Sequence, residues 1–183
     1  MGRDKALLPH PDGGTWLEHS LRVLSELRTP ITVLSRWPQH LALAEALQLP
    51  QLEILTEPPP WEGPLLALHR LMEQHPDEQL LLCPVDMPHL TAATLIELRH
   101  AAASAPQRIH VAHDGERRQP LLGIYPSESA MREALSASIA SGERRLQRWL
   151  ETQPTSDVAL EAKAVLNVNH PEGLNHAPEQ AHA

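Results

Sequence analysis

Apolar residues recur along this chain in two rhythms, and their alternation predicts the fold. Residues 80–83 (LLLC) run apolar without a break, as a strand covered on both faces of a parallel sheet would. Pro84 has no N–H to give a ladder, so this presumed central strand ends there. Residues 31–34 (ITVL) and, more weakly, 52–55 (LEIL) mark two earlier strands. Helical spacing separates them: Leu17, Leu21, Leu24 and Leu27 follow a capping box of Thr15 and Glu18. A leucine- and alanine-rich helix over about 39–47 comes next. After a stiff proline run, Gly63-Pro64 starts a helix with Leu65, Leu68, Leu71 and Met72 on its apolar side.

Beyond the central strand, Thr91 caps a helix in which Leu95, Leu98 and Ala102 share a face. Ile109 and Val111 mark a strand, Asp114-Gly115 a turn, and residues 119–125 (QPLLGIY) an antiparallel partner. Ser127 is placed as the cap of a helix running to Ile139, which Gly142 breaks before a second helix over 143–151. Residues 164–168 form a last short strand, and the polar stretch 175–183 is a disordered tail. The class is therefore α/β: a three-layer α/β/α Rossmann-like sandwich with a mostly parallel sheet, one domain over residues 1–174. Right-handed crossovers bring Ser35, Glu57 and Asp86 to one edge, at the carboxyl ends of their strands.

Composition narrows the function. A net charge of −8 argues against non-specific nucleic-acid binding, and no stretch is apolar enough to cross a membrane. The single cysteine, Cys83, excludes an internal disulfide framework and fits a reducing cytoplasm. Twelve histidines are scattered without HxH or HExxH spacing, so most read as surface residues and not metal ligands. Asp86 has the more interesting position. A carboxylate just past a strand end can hold a divalent metal and, through it, a triphosphate; equally, it can cap a turn between Pro84 and Pro88.

Five segments in order carry a resemblance: MGRDKALL at 1–8, GPLLAL from Gly63, CPVDMPHL around Asp86, QPLLGIYP from Gln119 and NVNHPEGL from Asn167. Together they resemble the molybdenum cofactor guanylyltransferases, within the broader nucleotidyltransferases of GT-A-like fold. The departures are Leu66 and Ala67 in the second segment and His170 and Gly173 in the last. The resemblance implies transfer of GMP from GTP to molybdopterin or Mo-molybdopterin, with Mg²⁺ as cofactor. By the same resemblance Lys5 and Asp86 are catalytic and Asp86 is the metal ligand. Gly2, Lys5, Ser35, Glu57, Gly63, Pro64 and Asp86 would contact the nucleotide, and Asn167 and Asn169, on one side of a strand, would face the pterin.

Bland readings stand beside these: a solvated Lys5, an exposed loop Glu57, ordinary helix-start residues at 63–64 and turn-forming asparagines at 167 and 169. Arg117, Arg118, Arg144, Arg145 and Arg148 are either a basic patch for the pterin phosphate or solvated arginines. Two rival functions remain open, a cytidylyltransferase acting on the same pterin and a weakly active protein that binds and delivers the cofactor. Other cofactor-synthesis or molybdoenzyme-maturation proteins are possible partners. The family signature begins with a strand and a glycine-rich loop, and MGRDKALL matches only its second half. The expectation is that Met1 is internal to that signature and that the natural protein begins roughly 10–20 residues earlier. Without that strand, ITVL and LLLC would be left as apolar edges on either side of an empty position.

Overall fold

The structure, a computed structural model, describes residues 4–168. It begins with a single 3₁₀ turn, Lys5–Leu7, capped by the Asp4 carboxylate, which accepts from the Ala6 N–H. Six helices and six strands follow: α1 Trp16–Ser25, β1 Ile31–Ser35, α2 Pro38–Ala46, β2 Leu52–Thr56, α3 Pro64–Gln74 and β3 Gln79–Leu82; then α4 Ala92–Ala103, β4 Ile109–His113, β5 Arg118–Pro126, α5 Ser129–Ala140, α6 Leu146–Leu150 and β6 Thr155–Ala159. Local chemistry explains several boundaries. Thr15 and Glu18 form the expected reciprocal capping box on α1, and Thr91 caps α4 through the Thr94 N–H. Gly142 takes φ +95°, where an L side chain would be strained, and stops the chain after α5.

The strands fall into two sheets. β1 and β2 pair in parallel; β3, β5, β4 and β6 form a four-stranded sheet in that order. Within it β4 and β6 are parallel, while β5 runs antiparallel to both its neighbours, as expected of residues 119–125. Helices cover the larger sheet on both faces. Leu95 and Leu98 of α4 pack with Ala112, Leu122 and Ile124 on one side. Leu65, Leu68 and Met72 of α3 meet Ile109, Val111, Tyr125 and Trp149 on the other. Alternate residues of β4 thus enter different cores, which is the three-layer arrangement.

Three expectations are corrected. β3 is an edge strand of its sheet among the described residues, and Leu80, Leu81 and Leu82 are half-buried where full cover was expected. Residues 164–168 are not a strand; the chain there makes a turn in which the Ala164 N–H donates to Glu161 O. The strand that does close the sheet, β6 (TSDVA), places only Val158 in the core, so its pattern carries little signal. Ser127 does not cap α5: its hydroxyl is fully buried and donates to Met72 O, tying the start of that helix to α3. His10 and His110 are buried, and His10 stacks on His19 with ring centroids 3.9 Å apart.

Candidate active site

Two adjacent residues tie the carboxyl ends of the two sheets together. Lys5 Nζ donates to Asp86 Oδ2 at 2.8 Å, just past β3. Asp4 Oδ2 lies 2.6 Å from His40 Nε2, and His40 Nδ1 lies 3.0 Å from Ser35 Oγ at the end of β1. The Glu57 N–H donates to Ser35 O, so Ser35, Glu57 and Asp86 do lie along one edge. A strand end is where the chain leaves its ladder and side chains converge, which is why open α/β sheets bind ligands there.

The other end of the chain reaches the same place. The Val168 N–H donates to Asp86 O at 2.9 Å, setting residue 167 beside the Asp86 loop. Asn167 Nδ2 donates to Gln119 Oε1, and Gln119 Nε2 donates to Asp114 Oδ2. The backbone N–H groups of Arg117 and Glu116 hold the Asp114 carboxyl down at about 2. Gln119, buried in QPLLGIY, is a connecting residue that the sequence reading quoted but gave no role; nor did it pair Asp4 with His40.

The remaining candidates are placed as follows. Glu57 accepts from Arg70 at 2.7 Å, both side chains being largely buried, so its carboxylate is a partner for that guanidinium. Gly63 caps α3 with φ +98°, and Pro64 opens the helix, both exposed. Gly2 and Asn169 lie outside the described residues. Arg117, Arg118, Arg144, Arg145 and Arg148 each pair with a carboxylate, which favours the surface reading over a free basic patch. Cys83 lies close behind the site, and burial pushes its thiol up to about 12, so it is no nucleophile at neutral pH.

Among the described residues no three His, Cys, Asp or Glu side chains stand close enough to form a metal cage. Asp86 offers one partly exposed carboxylate beside a lysine. That donor set suits Mg²⁺ carried in on substrate phosphates, which keeps most of its ligands as phosphate and water.

The fold class is that of the Rossmann-like nucleotidyltransferases. The chain resembles the crystal structure of molybdopterin-guanine dinucleotide biosynthesis protein A from Archaeoglobus fulgidus, with a TM-score of 0.72 at 17% identity, covering 95% of this chain and 90% of that one. The family model described as MobA-like NTP transferase domain matches residues 1–158. A Rhodopirellula baltica protein named probable molybdenum cofactor guanylyltransferase is 34% identical, over 95% of this chain and 83% of its own length. A Mycobacterium bovis protein of the same name is 31% identical, over 98% and 87%. This chain belongs to the MobA-like NTP transferase family.

Proposed function

We propose that the chain transfers GMP from GTP to the terminal phosphate of molybdopterin, or of Mo-molybdopterin, forming the guanine dinucleotide cofactor and releasing pyrophosphate. The observation that carries this reading is the Lys5–Asp86 pair at the carboxyl edge, in a chain whose relatives bear the guanylyltransferase name. A pterin phosphate oxygen attacks the α-phosphorus of GTP; the new P–O bond forms as the bond to the β-phosphate oxygen breaks. Lys5 exchanges Asp86 for the phosphates and places a compact cation where the leaving pyrophosphate gathers charge. Asp86 would hold Mg²⁺, which when bound would supply charge neutralisation to the triphosphate.

Around this pair the other residues position and enclose. Gly63 and Pro64 present the start of α3 along the nucleotide edge, and Ser35 lies at the end of β1. Asn167, held by Gln119, supplies an amide on the pterin side. Trp61 stands exposed beside Glu57, its Nε1–H donating to Glu57 O, and shares Arg36 with Trp37 in a cation–π stack. No helix among the described residues is long and apolar enough to cross a membrane, and the reading places the enzyme in the cytoplasm with GTP and the pterin as its partners. Turnover of GTP and CTP with molybdopterin, followed as pyrophosphate release, tests the proposal. GTP should be the better substrate by at least tenfold; faster CTP incorporation would assign the chain to the cytidylyl branch.

A further inference from the structure

A directed chain of hydrogen bonds runs from Asp114 through Gln119 to Asn167. β3 and β4 both run antiparallel to β5, so they point the same way and their carboxyl ends share an edge. Asp114 follows β4 and Asp86 lies past β3 at that edge, while Gln119 sits near the amino end of β5. The Val168 N–H donates to Asp86 O, which sets Asn167 beside the loop of the candidate catalytic carboxylate. The relay therefore ends at the candidate active site.

Its direction is fixed from one end. Asp114 Oδ1 accepts from the backbone N–H groups of Glu116 and Arg117 at 2.9 and 2.8 Å, and Arg117 Nε lies 3.6 Å from Oδ2. Those donors keep the carboxyl ionised, held down at about 2, so Asp114 offers acceptors only. The Gln119 atom 2.7 Å from Asp114 Oδ2 must then be its amide nitrogen. Gln119 is buried, and its Oε1 is left facing Asn167 at 2.6 Å. Asn167 must answer that oxygen with Nδ2. What remains is Asn167 Oδ1, a carbonyl oxygen on a half-buried side chain that accepts no hydrogen bond among the described residues. An asparagine free to rotate offers donor or acceptor as its ligand requires; this one is held as an acceptor.

We infer that Asn167, oriented by Gln119 and Asp114, is a specificity residue that recognises a ring N–H or amino donor of the pterin and not its phosphate. The inference rests on the reading of this site as the place where molybdopterin receives GMP. An anionic phosphate meets Asn167 Oδ1 acceptor against acceptor, and the two repel. The amide edge of an aminopyrimidinone ring carries an N–H and an NH₂ and matches it. Pterin and guanine both have that edge, and position separates them. Asn167 is attached on the β4–β5 side of the site, whereas the nucleotide candidates Ser35 and Glu57 stand at the ends of β1 and β2, in the other sheet. Gln119 and Asp114 touch neither substrate and act through Asn167 as positioning residues.

An exchange of polarity tests this on the full chain. Pterin itself is the phosphate-free probe, its fluorescence reporting binding, and KM for molybdopterin and for GTP is measured beside it. Asn167→Asp sets an oxygen against Gln119 Oε1 and should weaken pterin binding by about tenfold, the scale of one buried hydrogen bond lost with its partner left unpaired. Adding Asp114→Asn lets the whole relay reverse. The new amide donates to Gln119 Oε1, Gln119 Nε2 donates to the new carboxylate, and an acceptor still faces the ring. The double variant should recover pterin binding to within about threefold of wild type, a coupling that independent sites do not show. KM for molybdopterin should follow the same order while KM for GTP stays level. Asn167→Leu, which neither donates nor accepts, should lose binding without a new charge and gain nothing from Asp114→Asn; circular dichroism shows that each variant folds. Undiminished pterin binding in Asn167→Asp, no recovery in the double variant, no pterin binding by the wild type, or a loss that falls on GTP alone overturns the inference. GMP transfer with pterin binding indifferent to these changes removes the inference and leaves the activity; the reverse pattern removes the activity and leaves a pterin-ring site.

Discussion

The two halves of this molecule are built to different standards. Around β3–β6 the core is dense: Leu65, Leu95, Leu98, Ile109, Val111, Leu122 and Tyr125 are all fully buried, and helices close both faces. Around β1 and β2 only Ile31 is buried in either strand, and the remaining positions are half-covered or exposed. A two-stranded sheet has little independent stability and leans on the elements packed against it, here α1 and α2. The candidate active site lies at the seam of the two, where residues 4–5 touch both. Because residues 4–5 touch both halves, the geometry of the Lys5–Asp86 pair depends on how well the halves are joined.

The largest effect expected at that seam is on chemistry. Asp86→Ala should lower turnover by about two to three orders of magnitude at limiting Mg²⁺, the usual loss for one preorganised electrostatic element, while leaving the unfolding midpoint nearly in place. Wild-type turnover in that variant would reduce Asp86 to a turn cap. Next in size is the contrast in packing itself. Leu98→Ala, in the dense half, should cost about 2–5 kcal/mol in urea unfolding, whereas Val33→Ala in β1 should cost only about 1 kcal/mol. Equal losses at the two positions would remove the distinction between the halves.

The smallest effect concerns the stacked histidines. Burial, and then the neighbouring His10, hold the pKa of His19 below its usual 6.5, against the opposing pull of Leu90 O and Asp12. The unfolded chain therefore takes up its proton first as the pH falls. The stability contributed by the neutral ring is present above about pH 6.5 and is lost as the pH drops through and below it. Tm measured from pH 7.5 to 5.5 should fall more steeply in the wild type than in His19→Gln, and parallel curves would show that the ring does not report its burial.

Much of this was legible in the sequence because it was local. The capping box at Thr15 and Glu18, the strand at ITVL and the antiparallel QPLLGIY each depend on residues within a few positions of one another. The α/β class followed from their alternation. The misses share a cause in long-range pairing. β6 is a strand because β4 offers it an edge, since TSDVA has little pattern of its own. The apolar run at 164–168 finds no such edge and turns instead. Ser127 looked like a cap, but its hydroxyl found a carbonyl 55 residues away. The Asp4–His40 contact spans 36 residues, and nothing in the linear spacing announces it. Asp86 stood out by its place just past a strand end, Lys5 only through the resemblance; they are 81 residues apart, and the geometry brings them to 2.8 Å.

The account's central claim is transfer of a nucleotidyl group, and two labels on one substrate test it most directly. Incubated with molybdopterin and Mg²⁺, GTP labelled at the α-phosphate should pass its label to the pterin product, and GTP labelled at the γ-phosphate should release its label as pyrophosphate. A γ-label on the pterin, or tight cofactor binding with neither label moving, would contradict the account.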